Sequence, residues 1–173
     1  MRERSEVRRH LMAVLPDTAV AELVLWRQSW DPVMAAVVPA HVTIVYPEET
    51  ADEALLLERA DEQFAGTAPF RLRLGEVVAA GDGRDGVFVS VSDVDGTWGE
   101  LRRRLLVPPM TRLRVVPAHA TVVHPRTSGR GPECFAELGG RSLHLEVTVR
   151  EVQFTETTAT RMSVIRRFAL AAP

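Results

Sequence analysis

The sequence predicts an α+β protein of two duplicated lobes, each of β-α-β-α-β type, related by a pseudo-twofold axis with a central groove between them. Three observations carry this. First, the nonapeptide PAHVTIVYP (39–47) returns as PAHATVVHP (117–125), with six of nine letters unchanged. Second, the surroundings keep step: Val7 lies 34 residues before His41 and Val87 lies 32 before His119, while Leu72 follows His41 by 31 and Val147 follows His119 by 28. Third, the apolar period switches between two and about 3.6 residues in the same order on both sides, as alternating strands and helices require.

The stretch VRRHLMAVLP (7–16) is expected as the first strand. Asp17 follows as N-cap of a helix running to about Trp30, with Val20, Leu23 and Val24 on one stripe. Pro32 disfavours helical geometry at Asp31, so DPVMAAVVP breaks that helix before the first His strand. Thr50 and Glu53 have capping-box spacing, and Leu57, Ala60 and Phe64 mark the buried face of a second helix. PFRLRLGEVVAA alternates as a strand. GDGRDG (81–86) is a turn-rich loop and the expected seam, giving repeats of about 1–80 and 86–173 within a single domain. VFVSVS is then a strand, Thr97 and Glu100 a second capping box, and Trp98, Leu101 and Leu105 the inner stripe of a helix ended by Pro108 and Pro109. LRRRLL reads as the solvated face of that helix. Past the second His strand come a short helix near PECFAELGG, one long strand over SLHLEVTVREVQF, and a last strand at MSVIRRFAL. Parallel pairing stays open within each unit, because both His strands follow a helical crossover.

The composition is that of a folded globular chain: 46 % hydrophobic and 25 % charged over 173 residues. The net charge of −2 excludes a protein that coats nucleic acid through a general basic surface, so any such contact is local. All 21 basic residues are arginine. Cys134 is the single cysteine, so no intrachain disulfide forms and no C-x-x-C metal site exists; this fits a reducing compartment. The basic stretch MRERSEVRRHLMAVLP has too short an apolar run for a secretion signal, and no segment approaches the roughly 20 apolar residues of a membrane span. A cytoplasmic monomer without membrane contact is expected.

On a strand, residues two apart share a face. His41 and Thr43 therefore point to one side and Val42 and Ile44 to the other; His119 and Thr121 are likewise opposed to Ala120 and Val122. A pseudo-twofold axis would bring both imidazole–hydroxyl pairs to a common cavity. Near neutral pH one imidazole can be neutral and the other protonated. The neutral ring removes a proton from an attacking oxygen and the charged ring supplies one to the leaving oxygen, while the two hydroxyls donate to non-bridging phosphate oxygens. This chemistry calls for no metal and no cofactor, and two histidines without a matching Cys or acidic cluster fall short of a zinc site.

The motifs HVTI (41–44) and HATV (119–122), 78 residues apart in matched P-A-H-x-T-x-V-x-P settings, resemble the two H-x-T/S-x motifs of the two-histidine (2H) phosphoesterase superfamily. DPVMAAVVPAHVTIVYP looks particularly like its bacterial 2'-5' RNA ligase-like members. The resemblance covers most of the chain. It implies a bilobal 2H phosphoesterase domain over 1–173 whose motifs line the groove. The implied activity is metal-independent hydrolysis of 2',3'-cyclic phosphates or 2'-5' phosphodiester bonds in RNA or nucleotides, with ligation as the reverse reaction. It also implies that His41 and His119 are the base and acid, in an order left open, and that Thr43 and Thr121 bind phosphate. The expected partner is an RNA terminus or a small cyclic-phosphate nucleotide. The rival reading is a module that grips an RNA end or a phosphorylated metabolite without turning it over.

Four further residues are substrate-binding candidates. Arg126 and Arg130 follow the second motif, where a guanidinium could reach phosphate. Tyr46 matches His124 in the second copy; both fall on the far face of a regular strand and reach the groove only if the strand ends or bulges. Trp26, paired with Trp30 at i, i+4, is best explained by packing, with base stacking as its functional alternative. His10 and His144 lack a repeated context and receive no role.

Overall fold

The computed structural model describes residues 6–113 and 117–171, so the first five residues of the basic N-terminal stretch fall outside it. The order is β1 (Arg8–Val14), α1 (Ala21–Trp30), α2 (Pro32–Val37), β2 (His41–Val45), α3 (Glu53–Ala65), β3 (Phe70–Ala80), β4 (Gly86–Asp93), α4 (Thr97–Leu105), β5 (His119–Val123), α5 (Gly131–Leu138), β6 (Ser142–Val149), β7 (Glu151–Thr157) and β8 (Met162–Ala169). A 3-10 turn at Pro47–Glu49 follows β2. The strands form two four-stranded sheets, β2-β1-β7-β8 and β5-β4-β3-β6. Every pairing is antiparallel, which closes the parallel alternative. No helix among the described residues is long and apolar enough to cross a membrane.

The α+β, two-lobed architecture is as expected, but the lobes are not the two contiguous halves 1–80 and 86–173. Loop 81–86 is a hairpin turn inside one sheet rather than a seam, because β3 pairs with β4 and so leaves the first half. Only glycine fits at position 131, where a Cβ would lie 2.2 Å from the Asp85 carbonyl oxygen; this lets α5 start directly on the hairpin turn. The first sheet is completed by β7 and β8 from the other end of the chain. The expected single strand over SLHLEVTVREVQF is two, parted at Arg150: β6 pairs with β3 in one sheet and β7 with β1 in the other. Continuous alternation cannot reveal this, since both pieces keep period two.

Local corrections concern helix ends. Helix α1 begins four residues past Asp17, after a turn in which Ala19 and Val20 donate to the Pro16 carbonyl. The chain breaks at Asp31 as expected, but α2 then restarts, with Pro32 in its first turn and the Asp31 carboxylate accepting from Met34 N–H. Neither predicted capping box forms. Asp52 caps α3 through Leu55 N–H, and Asp93, at the end of β4, caps α4 through Gly99 N–H. A carboxylate reaching an exposed N–H of the first turn displaces the Thr–Glu alternative in both cases.

One continuous apolar core runs between sheets and helices, including Leu11, Ala13, Val42, Ile44, Val87, Val89, Ala120 and Val122. The motif strands β2 and β5 are the outer strands of their sheets and pack against each other. Each is braced by a helix from the opposite half. The buried Arg27 of α1 donates to the Thr121 carbonyl of β5 (3.1 Å) and to Val38 (2.7 Å). Reciprocally, Trp98 and Arg102 of α4 donate to the Thr43 (3.1 Å) and Ile44 (2.5 Å) carbonyls of β2. An edge strand leaves carbonyls unpaired, and these cross-braces satisfy them without water. Arg102 is thus not on a solvated helix face: it is 1 % exposed, beside the Leu101–Leu105 stripe, while Arg103 and Arg104 remain outside.

Candidate active site

A cavity of about 440 Å³ opens where the two outer strands meet. His41 and Thr43 line it from β2, His119 and Thr121 from β5. Strand alternation explains the choice: Val42, Ala120 and Val122 turn into the core with no exposed surface, while the histidines stay half-open. Further lining comes from Arg8, His10 and Met12 of β1, Val33, Met34 and Val37 of α2, Phe88 of β4, and Thr157.

The tautomers of the two motif histidines follow from their backbone partners. His41 Nδ1 lies 2.9 Å from the Pro39 carbonyl oxygen and His119 Nδ1 lies 2.9 Å from that of Pro117. A carbonyl only accepts, so both Nδ1 atoms carry the proton and each Nε2 is free to take or, once protonated, to give one. The P-A-H spelling therefore has a physical role: the carbonyl two residues upstream sets the tautomer. Burial pushes the His41 imidazole down to about 4, with Arg27, His119 and His124 adding to the depression and the Pro39 carbonyl opposing it. His119, the more open ring, is also lowered by burial. It meets the edge of Phe88 at 4.6 Å and stacks over Tyr46 at 6.4 Å.

Tyr46 and His124 both line the cavity, and the register shows why. Leu11 pairs with Val45 and Met12 with Thr43, leaving Ile44 as an extra residue; Val87 pairs with Val123 and Phe88 with Thr121, leaving Val122 extra. Each motif strand thus carries a β-bulge one residue past its threonine. A bulge offsets the alternation by one, so Ile44 and Val45 are both core residues, as are Val122 and Val123. The residue after each pair is thereby returned to the cavity face. Two buried carboxylates hold these positions: Tyr46 N–H donates to Glu49 (3.1 Å), and His124 N–H donates to Asp31 (3.0 Å).

Of the other candidates, Arg126 lines the cavity, 3.6 Å from Glu6. Arg130 does not: its guanidinium lies 4.4 Å from the Trp30 ring and donates to the Ser29 carbonyl, which draws it onto α1. Trp26 is likewise absent from the cavity, being 8 % exposed where α1 packs on β5, with Arg141 over its ring. Sequence reasoning gave His10 no role and missed α2, and both are in the wall. The place of His10 in the wall follows from strand pairing, which sets Met12 opposite Thr43 and so turns the His10 face of β1 to the cavity. Among the described residues no group of three or more His, Cys, Asp or Glu side chains is placed to hold a metal ion.

Burial holds His10 down to about 3 as well as His41 to about 4. Each folded value lies below the unfolded value near 6.5, so on acidification the unfolded chain takes up protons that the fold refuses. Stability is then intact above about pH 6.5 and is lost progressively as pH falls toward 3–4. Tm measured in non-phosphate buffers is expected to drop between pH 7 and pH 5, where carboxylates stay ionised, and to drop less in His10→Phe. A flat Tm over that interval contradicts the neutral buried state of these rings.

A family model described as the 2'-5' RNA ligase superfamily matches residues 15–161. A comparison with curated proteins finds no match. Among solved structures, one described as a phosphoesterase aligns at 17 % identity with a TM-score of 0.67, covering 96 % of this chain and 99 % of its own. Escherichia coli LigT in complex with 3'-AMP aligns at 18 % identity and TM-score 0.68, covering 95 % and 98 %. TT0787 of Thermus thermophilus aligns at 16 % and 0.64, covering 95 % and 98 %. At these identities the structural likeness speaks to the two-lobe fold.

Proposed function

Since this chain belongs to the 2'-5' RNA ligase superfamily of 2H phosphoesterases, we propose that it is a phosphodiesterase hydrolysing 2',3'-cyclic phosphate or 2'-5' phosphodiester bonds of RNA or nucleotides. The observation that carries the reading is the pair of imidazoles with free Nε2 atoms and matched threonines around one cavity. His41, whose pKa is pushed down to about 4, is the general base, and the more open His119 is the general acid. As water attacks phosphorus, His41 Nε2 takes its proton. As the P–O bond to the ribose breaks, His119 Nε2–H protonates the departing oxygen, leaving a phosphomonoester and a hydroxyl. Thr43 and Thr121 donate to the non-bridging oxygens, whose charge grows in the five-coordinate state. Ligation uses the same two proton transfers with the hydroxyl of a second nucleotide in place of water: it attacks the cyclic phosphate, and one ribose oxygen departs as a hydroxyl.

The base must be neutral and the acid charged, so kcat/KM rises through the lower pKa and falls through the higher. With His41 at about 4 and His119 lowered from the usual 6.5, a bell with its maximum between about pH 4 and 6.5 is expected. An optimum above pH 7 argues against this pair of roles. The activity itself is tested by incubating purified protein in EDTA with 2',3'-cyclic nucleotides and 2'-5' dinucleotides and resolving the products. Tight binding with no product at any pH favours a binding module instead.

A further inference from the structure

The two motif strands are braced alike but not charged alike. Arg102 donates to the Ile44 carbonyl of β2, and the Glu49 carboxylate cancels its charge at 2.6 Å. Arg27, its counterpart behind β5, is nearly as enclosed at 3 % exposure, yet no carboxylate among the described residues forms an ion pair with it. Its two hydrogen bonds go to neutral carbonyls, that of Thr121 on β5 and that of Val38, three residues before His41. The carboxylates whose charge reaches it are Asp31 and Asp17. Asp31, wholly buried, is taken up by Met34 N–H, His124 N–H and the Thr127 hydroxyl, and Asp17 is exposed. A buried guanidinium without a contacting carboxylate is costly, because no counter-charge replaces its lost hydration. What it supplies is a fixed positive potential on one side of an otherwise symmetric site.

We propose that Arg27 is the positioning residue that gives this site its direction: its unpaired charge favours the proton-accepting form of His41, so that His41 serves as base and His119 as acid. The inference rests on the phosphodiesterase reading and deepens it, since two matched H-x-T motifs by themselves leave the order of the roles open. Much of the surroundings is common to both rings. Each is lowered by burial, and each donates Nδ1–H to the carbonyl two residues upstream. The charges differ. After burial, Arg27 on α1 is the largest influence holding His41 down, ahead of His119 on β5 and His124 beyond it; His10 faces it from β1. Of these groups only the guanidinium keeps its charge at every working pH. His119 is set by burial and the Pro117 carbonyl, with no contribution from Arg27 or Arg102. The Asp31 charge, which could offset Arg27, acts instead on His124, where it opposes the lowering by burial.

The test titrates the imidazole protons of His41 and His119 by NMR, without substrate, in the wild-type protein, Arg27→Gln and Arg27→Lys. Both variants lose the guanidinium fork and its brace, but only Arg27→Gln loses the charge. The pKa of His41 is expected to rise by about 0.5 or more in Arg27→Gln and by about 0.2 or less in Arg27→Lys, while His119 moves by about 0.2 or less in both. The acidic limb of kcat/KM follows, moving up in Arg27→Gln and staying in place in Arg27→Lys. Equal movement of His41 in the two variants makes Arg27 a brace only and overturns the proposal, as does a His41 unmoved in Arg27→Gln. Where Arg27→Gln does not fold, Gln28→Glu decides, because position 28 is exposed and lines with Arg27 a second cavity of about 270 Å³. A carboxylate added there is expected to raise His41 by about 0.2 or more, and an unmoved His41 overturns the proposal. If no substrate turns over, the phosphodiesterase reading fails separately, and the titrations still test Arg27.

Discussion

Replacing His41 or His119 with alanine is expected to lower kcat by about 10²–10⁴-fold each. The loss falls on kcat because the transferred protons move only in the transition state, and removing such an interaction leaves substrate binding largely untouched. The two substitutions should not multiply, because base and acid act on one displacement. The pH profiles separate the roles: His41→Ala loses the acidic limb of the bell and His119→Ala the other. Folding is a separate matter, since each ring also bonds the backbone two residues upstream. Circular dichroism and Tm therefore accompany the kinetics, and the glutamine variants preserve side-chain size. A wild-type rate in either folded variant removes that histidine from the mechanism.

Arg102→Met is expected to cost about 3–5 kcal/mol of stability. The guanidinium donates two bonds to the Glu49 carboxylate (2.6 and 2.9 Å) and one to the Ile44 carbonyl, and both partners are almost wholly buried. Removing it leaves a carboxylate stranded in the interior. Glu49 does not simply become dispensable, because it also accepts from Tyr46 N–H and Leu113 N–H. At roughly 2–4 °C per kcal/mol for a chain of this size, Tm should fall by on the order of 10 °C. Neutralising the stranded group in Arg102→Met/Glu49→Gln should recover part of the loss, while Arg103→Ala and Arg104→Ala shift stability by about 0.5 kcal/mol or less. An Arg102→Met variant as stable as the Arg103 one means that the pair contributes nothing.

That arginine also marks where reading letters falls short. LRRRLL contains three neighbouring guanidiniums of identical chemistry; helical period sets Arg102 with Trp98, Leu101 and Leu105 at i, i+3, i+4 and i+7, but it cannot supply the carboxylate 53 positions away that makes a buried arginine tenable there. Tyr46 and His124 were open for a related reason: alternation puts them on the far face unless the strand ends or bulges, and the bulges at Ile44 and Val122 turn them to the cavity. Trp26 and Arg130 sit near the motifs in the sequence, yet α1 packs them outside the cavity.

Repetition and spacing alone determined that two His–Thr pairs lie on strands, face one way along them, and belong to duplicated units of an α+β chain, because strand periodicity and motif identity are local properties. Which units join is not local. The exchange of β3 and of β7–β8 between sheets and the reciprocal braces from Arg27 and Arg102 depend on partners brought together only when the sheets close. Hydrogen bonds and burial between residues dozens of positions apart decide them, and no window of sequence contains both members of such a pair.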